Sequence, residues 1–259
     1  GDAGVASFSD NYSQYWNPAK YAFSSRQHGA GISYTPWLRK VVNDMYMLHA
    51  SGFYKLGNDD NQALSASLRY FTLGDVDVAD LHGNFMEQAS SYEMAFDLAY
   101  SRKLSNTFSL AVALRYIRAD YNNFEDGKAG NAFAADIAGY NESYINLFNA
   151  ESMLSLGFNI SNIGTKIETG GVYKSFLPTT LRFGAGLLQP LNELNTLSLN
   201  VDFNKVLVPA IPVRGFDEDE SSFSQRLTKY HDRSAMSSMI RSFSDKSFST
   251  ELKEIGVSL

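Results

Sequence analysis

Four histidines could serve as bases or metal ligands, and they stand far apart at His28, His49, His82 and His231. None belongs to the His-x-x-Glu-His spacing that puts two imidazoles on one helix face for zinc. The chain has no cysteine, which removes thiolate metal sites, disulfides and a thiol nucleophile. No Gly-x-Ser-x-Gly elbow is present to activate a serine. Gly29-Ala-Gly31 and Gly184-Ala-Gly186 lack the third glycine and the following helix of a dinucleotide site. They fall in strand patterns, where small residues let another segment approach closely. The consecutive carboxylates Asp217-Glu218-Asp219-Glu220 lack the spaced ligands of a calcium loop and read as a solvated loop. Asp75, Asp77 and Asp80 read as ordinary loop polarity rather than a cation site. The expectation is a protein that is not an enzyme, with no catalytic residue, metal or cofactor. A Ser–His–acid group assembled from distant strands stays open only as a lipid-modifying alternative.

The elements that position these side chains repeat with a period of two. Phe108, Leu110, Val112, Leu114 and Tyr116 alternate with Ser109, Ala111, Ala113 and Arg115. Tyr92, Met94, Phe96, Leu98 and Tyr100 alternate with Glu93, Ala95, Asp97 and Ala99. Similar sets begin at Leu64 and Leu197, and weaker ones near 27–35, 45–56, 131–140, 152–161, 179–189 and 250–259. Ten strands are expected. The length of 259 residues suits one large domain or two small ones. A net charge of −6 argues against a nucleic-acid partner. Apolar runs are all too short for a membrane helix, which says nothing of membrane strands.

A soluble β-sandwich also alternates, but three features favour an outer-membrane barrel. Several strands have the roughly 9–11 residues that cross a tilted path through a bilayer. Tyrosine or phenylalanine brackets the apolar faces, as at Tyr46 and Tyr54 or Tyr92 and Tyr100, where a barrel meets its two interfaces. Short turns at 57–61, 104–107 and 191–195 fall on one end, and long loops at 74–90, 121–130, 162–176 and 206–249 on the other. The inward charges Arg69, Arg115, Glu93, Asp97, Asp136 and Asp202 either pair within the lumen or line a polar route.

Asn17-Pro18-Ala19, following Tyr15-Trp16, resembles the N-terminal hatch of FadL-like outer-membrane proteins. Ile32-Ser-Tyr-Thr-Pro-Trp-Leu-Arg39, Val112-Ala-Leu-Arg-Tyr-Ile-Arg118, Asn159-Ile-Ser-Asn-Ile-Gly164 and Val201-Asp-Phe-Asn-Lys-Val-Leu-Val-Pro209 are similar, in order, to the PorV family of the type IX secretion system of Bacteroidota. The resemblance implies an all-β, transmembrane antiparallel barrel of fourteen strands, with residues 1–26 as the hatch segment and Asn17, Pro18 and Ala19 as its motif. Residues 27–259 would then form an incomplete barrel with a long extracellular loop over 206–249. The chain stops at Gly256-Val-Ser-Leu259 in what reads as mid-strand, so the expectation is truncation before the last strands. The implied partners are a large translocon barrel, the C-terminal signal domains of secreted cargo, the sortase and attachment complex, and outer-membrane lipid. The implied role is to bind translocon and cargo at the outer membrane and pass cargo to that complex. The alternative is a FadL-like transporter of fatty acids or other hydrophobic compounds. It needs an apolar pocket in the lumen, and the small, polar inward sets count against one.

Candidate partner-binding residues are Trp37, Phe216, Phe223, Met236, Met239, Ile240 and Phe243. Met236, Met239, Ile240 and Phe243 are spaced to share one helix face. A methionine-bearing face suits an adaptable binding surface, but packing on the barrel rim or into the lumen stays open. Trp37 follows Pro36 at a strand end, as an interfacial anchor or a translocon contact.

Overall fold

The alternation becomes ten antiparallel strands in one sheet, each paired with the next in sequence. They are β1 (His28–Pro36), β2 (Met45–Leu56), β3 (Gln62–Ala79), β4 (Phe85–Lys103), β5 (Phe108–Asp120), β6 (Gly130–Leu147), β7 (Ala150–Gly164), β8 (Thr180–Pro190), β9 (Thr196–Val206) and β10 (Gly256–Ser258). The structure is a computed structural model and describes residues 3–38, 44–57, 61–79, 85–121, 129–168, 174–209, 211–242 and 255–258. β1 does not pair with β10, so the sheet is open among the described residues.

The sheet is inside out relative to a soluble protein. On β5, Ser109, Ala111 and Arg115 are buried, while Val112 and Leu114 are 53% and 64% exposed. Leu64, Phe96, Leu98, Phe133 and Phe183 are exposed on the same outer face. A monomer in water rarely shows so broad an apolar surface, whereas a bilayer-facing wall requires one. That removes the soluble-sandwich alternative. Near the long-loop end, Tyr34, Tyr46, Tyr70 and Tyr92 form a row across β1 to β4, with successive ring centroids 5.3, 6.2 and 5.6 Å apart. The run from Tyr46 to Tyr54 is roughly 26 Å along the strand. Barrel tilt reduces that to a height of about 20 Å, close to the apolar band of an outer membrane.

Two expectations about the connections need correction. The loop expected at 74–90 is mostly strand, because β3 runs on to Ala79 and β4 starts at Phe85. A register shift between Thr72 and Asp75 lets β3 continue past Gly74 instead of ending there. Asp75 and Asp77 therefore fall on a strand, and Asp80 and His82 lie outside the described residues. A two-residue turn at Phe148 and Asn149, both at positive φ (51° and 63°), joins β6 to β7 at the short-turn end. That is the mirror-image turn whose twist suits a hairpin. Of the last expected strand, near 250–259, the described residues Gly256–Ser258 pair with β9, and 250–254 and 259 lie outside the described residues.

The 206–249 loop holds two helices, α2 (Glu220–Asp232) and α3 (Ala235–Arg241), where one was expected. The acidic run caps α2. Asp219 accepts from the Ser222 amide, and Glu218 holds Arg226. Negative charge is favoured at a helix N-terminus.

Residues 3–24 lie against the polar face of the sheet. They include the single helical turn α1 (Ser13–Trp16), followed by a 3-10 helix (Pro18–Phe23). Val5, Ala6, Ala19, Tyr21 and Ala22 are fully buried there. Tyr21 stacks on Phe53 of β2, with centroids 4.6 Å apart.

Candidate functional site

Asn17, Pro18 and Ala19 are all buried, and each has a distinct task. Asn17 caps the 3-10 helix, its Oδ1 accepting the Ala19 amide at 3.0 Å. Pro18 takes the first helical position, where its missing N–H costs nothing and its fixed φ suits the turn. The Asn17 Nδ2 donates to the carbonyls of Val5 (3.0 Å) and Gly139 (2.9 Å). One carboxamide thus joins two stretches of the N-terminal segment to β6. Ser109 of β5 donates to the Ala19 carbonyl at 2.8 Å.

The rest of the segment is held from β1 to β9. The Asn11 side chain donates to the Ala30 carbonyl of β1. On β9, Asp202 Oδ2 accepts the amides of Gly4 (2.7 Å) and Val5 (2.9 Å), two successive N–H groups forming an anion-binding nest. Lys20 is fully buried and donates to the Gly4 carbonyl (2.8 Å) and Ser7 Oγ (3.0 Å). Burial pushes its ammonium down to about 8, with Asp10 and Asp202 opposing. Both glycine pairs lie under this segment. A Cβ at Gly31 would stand 2.8 Å from the Tyr12 ring, and one at Gly186 would stand 2.8 Å from the Ala6 carbonyl oxygen. The close approach expected at these pairs is that of the N-terminal segment.

Of the inward charges, four form one network. Arg115 bonds Asp97 through Nε and Asp136 through Nη2 at 2.9 Å, and Arg69 Nη2 lies 3.5 Å from Asp97. Ser67 also donates to Asp97, and the Asn162 amide to Asp136. Each buried carboxylate therefore has several donors, as buried charge requires. Asp202 serves the N-terminal segment, and Glu93 accepts from the Tyr121 hydroxyl.

Between this network and the long-loop end lies a cavity of about 540 Å³, walled by Phe71, Ile117, Ile167 and Leu177, with Trp37 among its lining residues. The small, polar inward sets did not foretell it. Its walls come from the strand ends and the β7–β8 connection, beyond the stretch where small residues dominate. A smaller cavity of about 250 Å³ shares Arg69, Arg115, Asn162 and Pro178 with it and adds Tyr15 and Arg182.

The expected partner-binding residues are not gathered in one place. Trp37 packs edge-on against Phe71, with centroids 6.5 Å apart. Phe216 is fully exposed before α2, and Phe223 is half-buried in its first turn beside Arg226. On α3, Met236 and Ile240 are 55% and 65% exposed, and Met239 is half-buried. Phe243 lies outside the described residues. Helix α2 rests on the β7–β8 connection, where Tyr230 packs on Phe176 and Lys166 donates to the His231 carbonyl. Sequence reasoning missed Tyr15 and Arg182. A tyrosine two positions before Asn17 and an arginine two positions before Gly184 carried no signal of their own.

No group of three or more His, Asp or Glu side chains converges among the described residues. No curated protein matches the chain. A family model, "Type IX secretion system protein PorV", matches residues 1–213. That span takes in the N-terminal segment, β1 to β9 and the start of the 206–249 loop. With an inside-out antiparallel sheet beneath it, the chain belongs to the PorV family of type IX secretion system proteins.

Proposed function

We propose that this protein is an outer-membrane, multi-pass barrel component of type IX secretion that works by recognition. It binds the large translocon barrel and the C-terminal signal domain of cargo at the cell surface, then passes cargo to the sortase and attachment complex. The observation that carries the reading is the placement of exposed apolar side chains on the 206–249 loop. Phe216, Met236 and Ile240 stand in the open at the long-loop end, where loops on a rigid scaffold carry recognition. A Met-bearing surface of this kind adapts to more than one partner. Residues 1–26 act in this reading as a hatch fixed by Asn17, Pro18 and Ala19, and the lumen is not a protein-conducting path. The cavity beside Trp37 supports a second reading, the binding of hydrophobic compounds.

The test uses the full-length protein, tagged in its native outer membrane and purified gently in detergent. Co-purification of a very large barrel and of secreted proteins sharing a C-terminal domain supports the proposal. Double substitution Met236→Asp, Ile240→Asp should deplete cargo while the barrel stays in the membrane. Recovery without cargo even when the sortase is deleted overturns it.

A further inference from the structure

The β6–β7 hairpin reaches further than the strand beside it. β5 starts at Phe108, opposite Asn141, after the turn at 104–107. β6 runs on past Asn141 to Leu147 and returns through Phe148 and Asn149. That overhang is roughly 20 Å of strand. Strand tilt staggers neighbours by only about one residue, so the tip projects beyond the sheet at the short-turn end. In an outer-membrane barrel that end faces the periplasm.

The two sides of the tip differ. On the β8 side, Pro190 has no N–H to offer, and Gln189 is buried. Ser152 donates to Gln189 Oε1 at 2.7 Å, and Gln189 Nε2 reaches the Leu147 carbonyl at 3.4 Å. The β5 side is bare. There the Glu142 amide donates to the Thr107 carbonyl at 2.8 Å. Alternation turns the N–H and C=O of Tyr144 and Asn146 the same way, and among the described residues they meet no backbone partner. The Glu142 carbonyl lacks one too, because the Thr107 amide goes to Ser105 Oγ. Natural sheets blunt such edges with proline, lysine, a bulge or a covering segment. Residues 142–147 contain no proline, lysine or bulge. Tyr144, Ile145 and Asn146 are exposed in succession, so both faces of the strand are open. Phe148 at the turn is 86% exposed. The charged side chains over 141–156 are Glu142 and Glu151, and the turn at 191–195 adds Glu193. None of the three has a cation at ion-pair distance among the described residues.

We infer that the bare edge of β6 binds an extended, basic segment of a periplasmic protein by strand addition. The segment lies antiparallel to β6, in line with β5 and beyond the 104–107 turn. It accepts from the amides of Tyr144 and Asn146 and donates to the carbonyls of Glu142, Tyr144 and Asn146. Its side chains alternate, basic ones falling beside Glu142 and Tyr144 and apolar ones beside Ile145. A second copy of this edge is a poor occupant, because it would bring acid against acid. The compartment of the partner rests on the outer-membrane reading. Cargo recognition belongs to the opposite, long-loop end, so the two stand or fall separately.

The probe is a fluorescently labelled peptide, Thr-Lys-Val-Lys-Val-Lys-Thr, titrated into the full-length protein in a neutral detergent and followed by anisotropy. The expected result is saturable binding. The same peptide with Glu for Lys should bind about tenfold more weakly. Methylating the lysine amides, which turn towards β6, should abolish binding, and methylating the valine amides should leave it. Those two peptides need no change in the protein and so are blind to folding defects. Asn146→Pro removes only an N–H that faces the open edge. It should weaken binding about threefold to tenfold, the loss of one hydrogen bond. Asn146→Ala keeps that N–H and should bind as wild type does. The Met236→Asp, Ile240→Asp variant should bind the peptide unchanged, whatever it does to cargo. No binding, equal binding of the two methylated peptides, or equal binding to Asn146→Pro and Asn146→Ala overturns strand addition. Equal binding of the acidic peptide overturns a basic partner. Self-association of the protein that Asn146→Pro abolishes, with no peptide bound, overturns the periplasmic partner and leaves a second copy as the occupant.

Discussion

The Asn17 carboxamide donates to the Gly139 carbonyl at 2.9 Å, linking the N-terminal segment to a strand 122 positions away. The same nitrogen reaches Val5, and the oxygen caps the turn that starts at Pro18. A carboxamide is the only small side chain that donates twice and accepts once in this way. Asn17→Ala leaves two buried carbonyls and one amide without partners, at about 1–3 kcal/mol for each group. Asn17→Asp is worse, because it turns an acceptor towards two acceptors. Protease cleavage within residues 3–24 should therefore speed up in the order wild type, Asn17→Ala, Asn17→Asp. Limited proteolysis read by mass spectrometry checks this. Equal rates in all three would show that the segment is held without Asn17.

The glycine pairs lead to a second expectation. Gly186→Ala would place a methyl group 2.8 Å from the Ala6 carbonyl oxygen and 2.5 Å from Ser155 Oγ. Gly31→Ala would press on the Tyr12 ring. Neither obstacle is the end of a long flexible chain, so each substitution should dislodge the segment by about 1–3 kcal/mol. Gly215→Ala, whose new methyl group would come no nearer than 3.5 Å to Glu218, serves as a control that changes nothing. Hydrogen exchange over residues 3–24 reads the outcome. Unchanged protection in Gly186→Ala would mean that the segment does not lie against β8.

Lys20 makes the docking of this segment depend on pH. Its ammonium titrates at about 8 when docked and near the ordinary 10.5 when released. Below pH 8 both states are protonated, and burial of the charge opposes docking in full. Between about 8 and 10 the released state binds more protons than the docked one, so docking strengthens as pH rises. Above 10 Tyr21, pushed up to about 12 by burial, begins to act in the opposite direction. Exchange protection of residues 3–24 should thus increase from pH 7 to pH 9.5 once corrected for intrinsic rates. In Lys20→Met, which keeps the stem but not the charge, the slope should vanish. A wild-type slope of the opposite sign would mean that Lys20 is charged and paired when docked.

How much of this was written in the sequence differs from element to element. β5 and β9 were legible because strict alternation carries both strand and face, and neither needs a distant partner. Gly74 misled, since a glycine followed by an aspartate signals a turn, and only pairing with β4 turns it into an irregularity within a strand. Helix α2 was hidden because Phe223, Leu227 and Tyr230 are its only large apolar residues. Its start is set by the Asp219 cap rather than by a broad apolar face. Asn17-Pro18-Ala19 stood out by resemblance, and the glycine pairs by their spacing. What lay against those glycines did not, because Ala6 and Gly186 meet across most of the chain and no local pattern encodes that meeting. The cavity was equally silent, its walls being drawn from β3, β5 and the β7–β8 connection.

Leu114 gives the most direct test of the medium around the sheet. It is 64% exposed on the outer face of β5, between Arg115, which is buried in the charge network, and Ala113, which is buried too. If water bathed that face, Leu114→Arg would be neutral or would aid solubility, as at most exposed positions. If acyl chains bathe it, the guanidinium must leave water, at about 2–4 kcal/mol near the bilayer midplane and less towards the interfaces. Leu104, exposed in the short turn after β4, is the matched control, because Leu104→Arg places the same charge beyond the apolar band. Folding of the full-length protein into lipid vesicles, followed by denaturant titration, should show a clear loss for Leu114→Arg and almost none for Leu104→Arg. Equal behaviour of the two variants would remove the membrane from the outer face. The exposed apolar set from Leu64 to Phe183 would then need a protein partner to cover it.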